Sequence, residues 1–128
     1  MTTTHDKNTV TIYEYPTCST CRSAVKWLEN EGWTVNKHHI KEHPPTVEVL
    51  TDLIARSGLD IKKWFNTSGD VYKELQLKDK LPHLSQEEKI KLLSSHGMLI
   101  KRPVVTDGER VTVGFKPEQY AENWSRSV

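Results

Sequence analysis

Cys18 and Cys21 stand three positions apart in the run Cys18-Ser19-Thr20-Cys21. If that run opens a helix, the two thiols lie one turn apart on one face. Their Cα atoms would then be about 5.5 Å apart, a separation a disulfide bridges. A helix start also offers unpaired backbone N–H groups and the positive end of the dipole, which favour a thiolate at Cys18. Arg22 adds a positive charge nearby, and Thr17, Ser19 and Thr20 supply hydroxyl donors. A lowered pKa matters because the thiolate is the attacking species. Cys18 is therefore expected to titrate below the free value of about 8.5, while Cys21, one turn in, stays a less exposed thiol. The chemistry indicated is thiol–disulfide exchange, with Cys18 as nucleophile and Cys21 as resolving cysteine. Two other readings of the pair stay open. It would be half of a zinc site if His38, His39 and His43 completed it, there being no second cysteine pair, or two buried structural thiols.

Arg102-Pro103 is the second spot of interest. Lys101 and Arg102 set two cations just ahead of a strand pattern. A solvated pair at a strand entrance is the ordinary reading, and a trans proline is tolerated at the first strand position. Only about 5% of X–Pro bonds are cis, so the residues alone do not assign that isomer. The six histidines are scattered, and His5, His83 and His96 fall near a tail, a turn and a helix end. All read as structural or solvated, and the tryptophans as core. Neither a Walker loop nor a dinucleotide fingerprint occurs.

The elements that must position these residues follow from periodicity and punctuation. Thr9 to Tyr15 alternates, with Val10, Ile12 and Glu14 on one side, and reads as a strand. A helical pattern from about Ser19 to Glu31 puts Cys21, Ala24, Val25 and Leu28 on one face, and Gly32 stops it. Trp33 to Ile40 is a weaker strand, broken by Pro44 and Pro45. Thr46 caps a helix buried through Val49, Leu50, Leu53 and Ile54 that ends at Gly58. Leu59 to His96 reads as helical and turn-like, with apolar patches at Ile61, Trp64 and Phe65 and at Tyr72, Leu75 and Leu77. Ser85 with Glu88 forms a capping box. Val104–Thr106, the Asp107-Gly108 turn and Val111–Val113 form a hairpin, and Pro117 opens a last helix carrying Tyr120 and Trp124. The first strand–helix–strand unit implies a parallel pair with a right-handed crossover. The expected fold is α/β: a mixed four-stranded sheet with a helical block between strands 2 and 3.

A length of 128 residues suits one domain that folds without disulfide or metal staples. A net charge of +1 gives no electrostatic reason to expect nucleic acid or an anionic membrane as partner. No apolar run is long enough for a membrane span, and residues 1–8, polar after Met1, read as a disordered tail without a signal-peptide core. The expected compartment is the cytoplasm. Its reducing conditions favour a catalytic or metal-binding role over a static disulfide.

Taken together, Tyr15-Pro16-Thr17-Cys18-Ser19-Thr20-Cys21-Arg22, His43-Pro44-Pro45-Thr46, Tyr72-Lys73-Glu74-Leu75 and Lys101-Arg102-Pro103-Val104-Val105 resemble the ArsC/Spx family. That family comprises glutaredoxin-type arsenate reductases, the redox-sensing regulator Spx and their relatives. The likeness runs from Val10 to about Trp124. It implies a thioredoxin-like, glutaredoxin-type fold over 9–128, with a helical insertion at about 46–100. It also implies that Pro103 is the cis-proline facing the active cysteine. By position, Cys18 matches the family nucleophile, Arg22 the arginine after its loop and Arg102 an oxyanion-binding arginine of the arsenate reductases. Two further arginines of those enzymes align with Asn66 and Lys116, neither of which reproduces a bidentate fork. A second cysteine at position 21 is the pattern of Spx and its close relatives. The resemblance thus implies a thiol–disulfide redox protein. The alternatives are a redox-sensing regulator that binds RNA polymerase and an arsenate reductase using Cys18 and Arg102. No cofactor or metal is expected. Electrons would come from an external thiol system: a thioredoxin, a glutaredoxin or a low-molecular-weight thiol.

Overall fold

The computed structural model describes residues 8–125. In chain order the elements are β1 (Thr9–Glu14), α1 (Ser19–Asn30), β2 (Thr34–His39), α2 (Val47–Ser57), α3 (Asp70–Glu74), α4 (Leu77–Lys80), α5 (Gln86–Ser95), β3 (Val104–Thr106), β4 (Val111–Val113) and α6 (Pro117–Trp124). They form two units: residues 8–39 with 102–125, and Ile40–Lys101. The tail expected over 1–8 lies outside the described residues except for Asn8, whose carbonyl accepts the Thr34 N–H at 2.7 Å.

The first unit holds the mixed four-stranded sheet expected from the sequence, in the order β2-β1-β3-β4. β1 pairs in parallel with β2, Thr9 opposite Thr34 through Glu14 opposite His39. It pairs antiparallel with β3, which continues into the β4 hairpin. β1 is therefore central, which explains why Thr11 as well as Val10 and Ile12 is buried. The helix α1 buries Cys21, Ala24, Val25 and Leu28, the face its spacing predicts. Val10, Ile12, Val105, Tyr120 and Trp124 join three of those α1 residues and Trp33 in one apolar cluster.

Three polar anchors fasten α6 to this cluster. Trp33 Nε1 donates to the Trp124 carbonyl at 2.7 Å. Trp124 Nε1 donates to Thr112 Oγ1 at 3.0 Å, and the Tyr120 hydroxyl donates to the Gly114 carbonyl at 3.2 Å. Each removes the cost of burying a polar aromatic edge without a partner.

The second unit is helical and built from local signals. Thr46 Oγ1 accepts the Val49 N–H at 3.2 Å as the N-cap of α2, and Gly58 ends that helix in the left-handed conformation, φ 68°. Ser85 and Glu88 make the reciprocal capping box of α5. α2 and α5 pack together through buried faces carrying Leu50, Leu53 and Ile54 on one and Ile90 and Leu93 on the other. The Tyr72–Leu77 patch spans two short helices: Gln76, at φ 55°, divides α3 from α4, and only Leu77 of the three patch residues is fully buried. Gly97 has no room for a side chain, because a Cβ there would overlap the Ile40 carbonyl.

Candidate functional site

The sequence Tyr15-Pro16-Thr17-Cys18 leaves β1 through a turn closed by the Cys18 N–H donating to the Tyr15 carbonyl at 2.9 Å. Proline sets the turn and the helix starts immediately after it. Cys18 is the N-cap of α1, extended at φ −80° and ψ 116°. Its Sγ accepts the Cys21 N–H at 3.4 Å, taking the place that a serine or aspartate oxygen holds at most helix starts. Cys21 is fully buried and Cys18 partly exposed, and both are free thiols.

Their acidities are pulled apart. Partial burial pushes the Cys18 thiol up. Hydrogen bonds from the Cys21 thiol and backbone N–H outweigh this, together with the hydrogen bond and positive charge of Arg102, and hold Cys18 below the ordinary thiol value. Burial pushes Cys21 up to about 12, the neighbouring Cys18 adding to the rise. The pair is thus one thiol of lowered pKa and one held protonated until its neighbour's charge is removed.

Arg102 arrives from the other end of the unit, on the turn before β3, and the Arg102–Pro103 peptide is cis. Pro103 is buried, and its carbonyl accepts the Gly114 N–H at 2.9 Å. The Arg102 guanidinium lies 6.0 Å from the centre of the Tyr15 ring. The His39 ring meets the same Tyr15 edge-on at 5.6 Å.

By position along the chain, Arg22 is the cation expected beside Cys18. That side chain is exposed and lines a hollow with Glu14, Lys26 and Lys37. The cation bonded to Cys18 is Arg102. The reason is geometric: Arg22 stands a full turn along α1, where only its backbone N–H reaches Cys18, donating to the carbonyl at 3.1 Å. Thr17, Ser19 and Thr20 are exposed, and among the described residues none of their hydroxyls bonds Cys18.

Asn66 belongs to the helical unit, where its Oδ1 accepts from the Ser68 hydroxyl at 3.3 Å. Lys116 is the exposed N-cap residue of α6. Sequence reasoning missed Tyr15 as the flank of Arg102; an aromatic residue just before the Pro-Thr-Cys turn was the available signal. Among the described residues no three His, Cys, Asp or Glu side chains gather as metal ligands, so His38, His39 and His43 do not complete a set with the cysteines.

A family model described as the ArsC family matches residues 13–123. The uncharacterized protein YusI of Bacillus subtilis is 59% identical over 91% of this chain and 98% of its own length. An arsenate reductase of Haemophilus influenzae is 34% identical, over 88% of this chain and 97% of its own. Among solved structures, an ArsC family related protein from Bacteroides fragilis superposes with a TM-score of 0.84 at 48% identity. That match covers 88% of this chain and 95% of the other.

Proposed function

The chain belongs to the ArsC family and shares its thioredoxin-like fold, and from that premise we propose that it is a cytoplasmic thiol–disulfide oxidoreductase. The observation that carries this reading is the split between the two thiols. One is lowered, partly exposed and bonded to Arg102; the other is buried and raised to about 12. In the proposed cycle the Cys18 thiolate attacks one sulfur of a disulfide RSSR. The S–S bond breaks, Cys18–S–SR forms and RS⁻ leaves, to be protonated by water. Cys21 then gives its proton to solvent, attacks Cys18 Sγ as the thiolate and expels the second RS⁻. The substrate gains two electrons and the protein is left with a Cys18–Cys21 disulfide. A thioredoxin, a glutaredoxin or a low-molecular-weight thiol reduces it. Once Cys18 is in the mixed disulfide it no longer carries the charge that helps hold the Cys21 proton, so the resolving step becomes easier after the first.

Arsenate is the competing substrate, favoured by the bond between Arg102 and Cys18. Asn66 and Lys116 weigh against it, because a transition state that builds negative charge needs preorganised donors. One assay decides between the two. Mixed with a small disulfide, the reduced wild type should release two thiols per chain. Cys21→Ser should release one and retain the other as a mixed disulfide visible by mass, and Cys18→Ser should release none. Arsenate turnover that outpaces disulfide reduction and disappears in Arg102→Ala would reverse the ranking.

A further inference from the structure

A hollow of about 490 Å³ opens beside the Cys18 loop. Glu14 and Pro16 line it from β1 and the following turn, Arg22, Lys26 and Glu29 from α1, and Lys37 from β2. Arg22, Lys26 and Glu29 follow one another at four- and three-residue spacing, so they share one face of the helix. The near end of that face is one turn from the nucleophile, since the Arg22 N–H bonds the Cys18 carbonyl. The volume is that of a small-molecule site.

Glu14 is the unusual member. It is only 6% exposed. Its side chain is covered by protein while its carboxylate oxygens reach the hollow, because they are not among the buried, unpartnered polar atoms. Yet among the described residues none of the five charged side chains here makes an ion pair or a side-chain hydrogen bond. Three cations and the carboxylate of a buried residue line the same hollow without closing on each other. An amine would satisfy Glu14, and a carboxylate would satisfy Arg22, Lys26 or Lys37. A neutral ligand would satisfy neither charge.

We infer that this hollow is a recognition subsite for the non-reacting arm of the disulfide substrate, and that this arm is zwitterionic, with a free amine and a carboxylate beside the sulfur, as in an amino-acid disulfide. The inference rests on the thiol–disulfide reading above and uses the exchange already written there. Three cations against two carboxylates leave the hollow with one net positive charge, so the carboxylate contributes more than the amine. The expected order is therefore cystine, then dithiodipropionate with carboxylates only, then the neutral bis(hydroxyethyl) disulfide, then cystamine with amines only.

The test is the single-turnover rate of the reduced protein with these four disulfides. Each rate is divided by that of free mercaptoethanol with the same compound, so that differences in leaving-group acidity cancel. Cystine should exceed the hydroxyethyl compound on the order of tenfold, the effect of one charged hydrogen bond. Lys26→Gln with Lys37→Gln should remove most of that preference. Glu14→Gln should bring cystine down to dithiodipropionate; if that variant fails to fold, the lysine pair decides. Equal normalised rates for all four, or a preference that these substitutions leave in place, overturn the subsite while the redox function stands. No exchange with any of the four defeats the redox reading and this inference with it.

Discussion

The sheet unit and the helical unit are assembled by different means. In the sheet unit, contacts between residues far apart in sequence hold the structure: Trp33 bonds the Trp124 carbonyl, β1 pairs with β3, and Arg102 reaches Cys18. In the helical unit the fixing contacts include short-range ones, such as Thr46 with Val49 and Ser85 with Glu88. Both cysteines and their cation lie in the first. Exchange chemistry needs a thiolate held to within a fraction of an ångström of its partners, and a sheet flanked by anchored helices supplies that. Caps and turns supply stability in small, separable increments.

The largest test of this contrast is Trp124→Ala. It empties a fully buried site and leaves Thr112 Oγ1 without its indole donor, while the residue-124 carbonyl that accepts from Trp33 stays in place. A loss of about 3–5 kcal/mol is expected in denaturant unfolding, with Cys18 reactivity lost alongside, because the same unit carries both. Retained stability would mean that α6 is not what fastens the sheet.

Arg102→Gln should strike chemistry with less effect on folding. Removing the guanidinium takes away both its hydrogen bond and its charge from Cys18. The Cys18 deprotonation midpoint should move upward, toward the ordinary thiol. Alkylation at neutral pH should slow several-fold, and more at lower pH, where the thiolate fraction depends most on the shift. Cys21, raised to about 12, should show no midpoint in the neutral range in either protein. An unchanged Cys18 midpoint would leave the Cys21 N–H as the effective stabiliser.

The smallest effect belongs to the helical unit. Ser85→Ala removes one half of the capping box and should cost about 1 kcal/mol, with the Cys18 alkylation profile unmoved. A shifted profile would show that the two units are energetically coupled, and the separation drawn above would fail.

Local rules made much of this legible. The α1 face, the Ser85–Glu88 box and the Asp107-Gly108 hairpin each follow from residues within one or two turns of each other. Arg102 at Cys18 was not legible from periodicity, because the contact depends on how β3 enters the sheet. Charge proximity along the chain pointed to Arg22 instead. The burial of Glu14 was half legible: alternation placed it beside Val10 and Ile12. That this face stays covered to the end of β1 is a property of the assembled unit. The turn at Gln76 within the helical, turn-like stretch was not placed, since its left-handed backbone is carried by a residue type that does not announce it.

The strand order β2-β1-β3-β4 has one more consequence. Among the described residues β2 is paired on one side only, so its six residues have no strand partner on the other side. Such an edge is a template for adding a strand from another molecule. Thr34, Asn36 and Lys37 are its exposed residues. A charged lysine and polar neighbours make that edge costly to stack against a second copy. The same lysine that lines the hollow is of the charged kind that gates strand edges, and replacing it with an apolar β-branched residue would be expected to raise strand-to-strand association, checked by sedimentation.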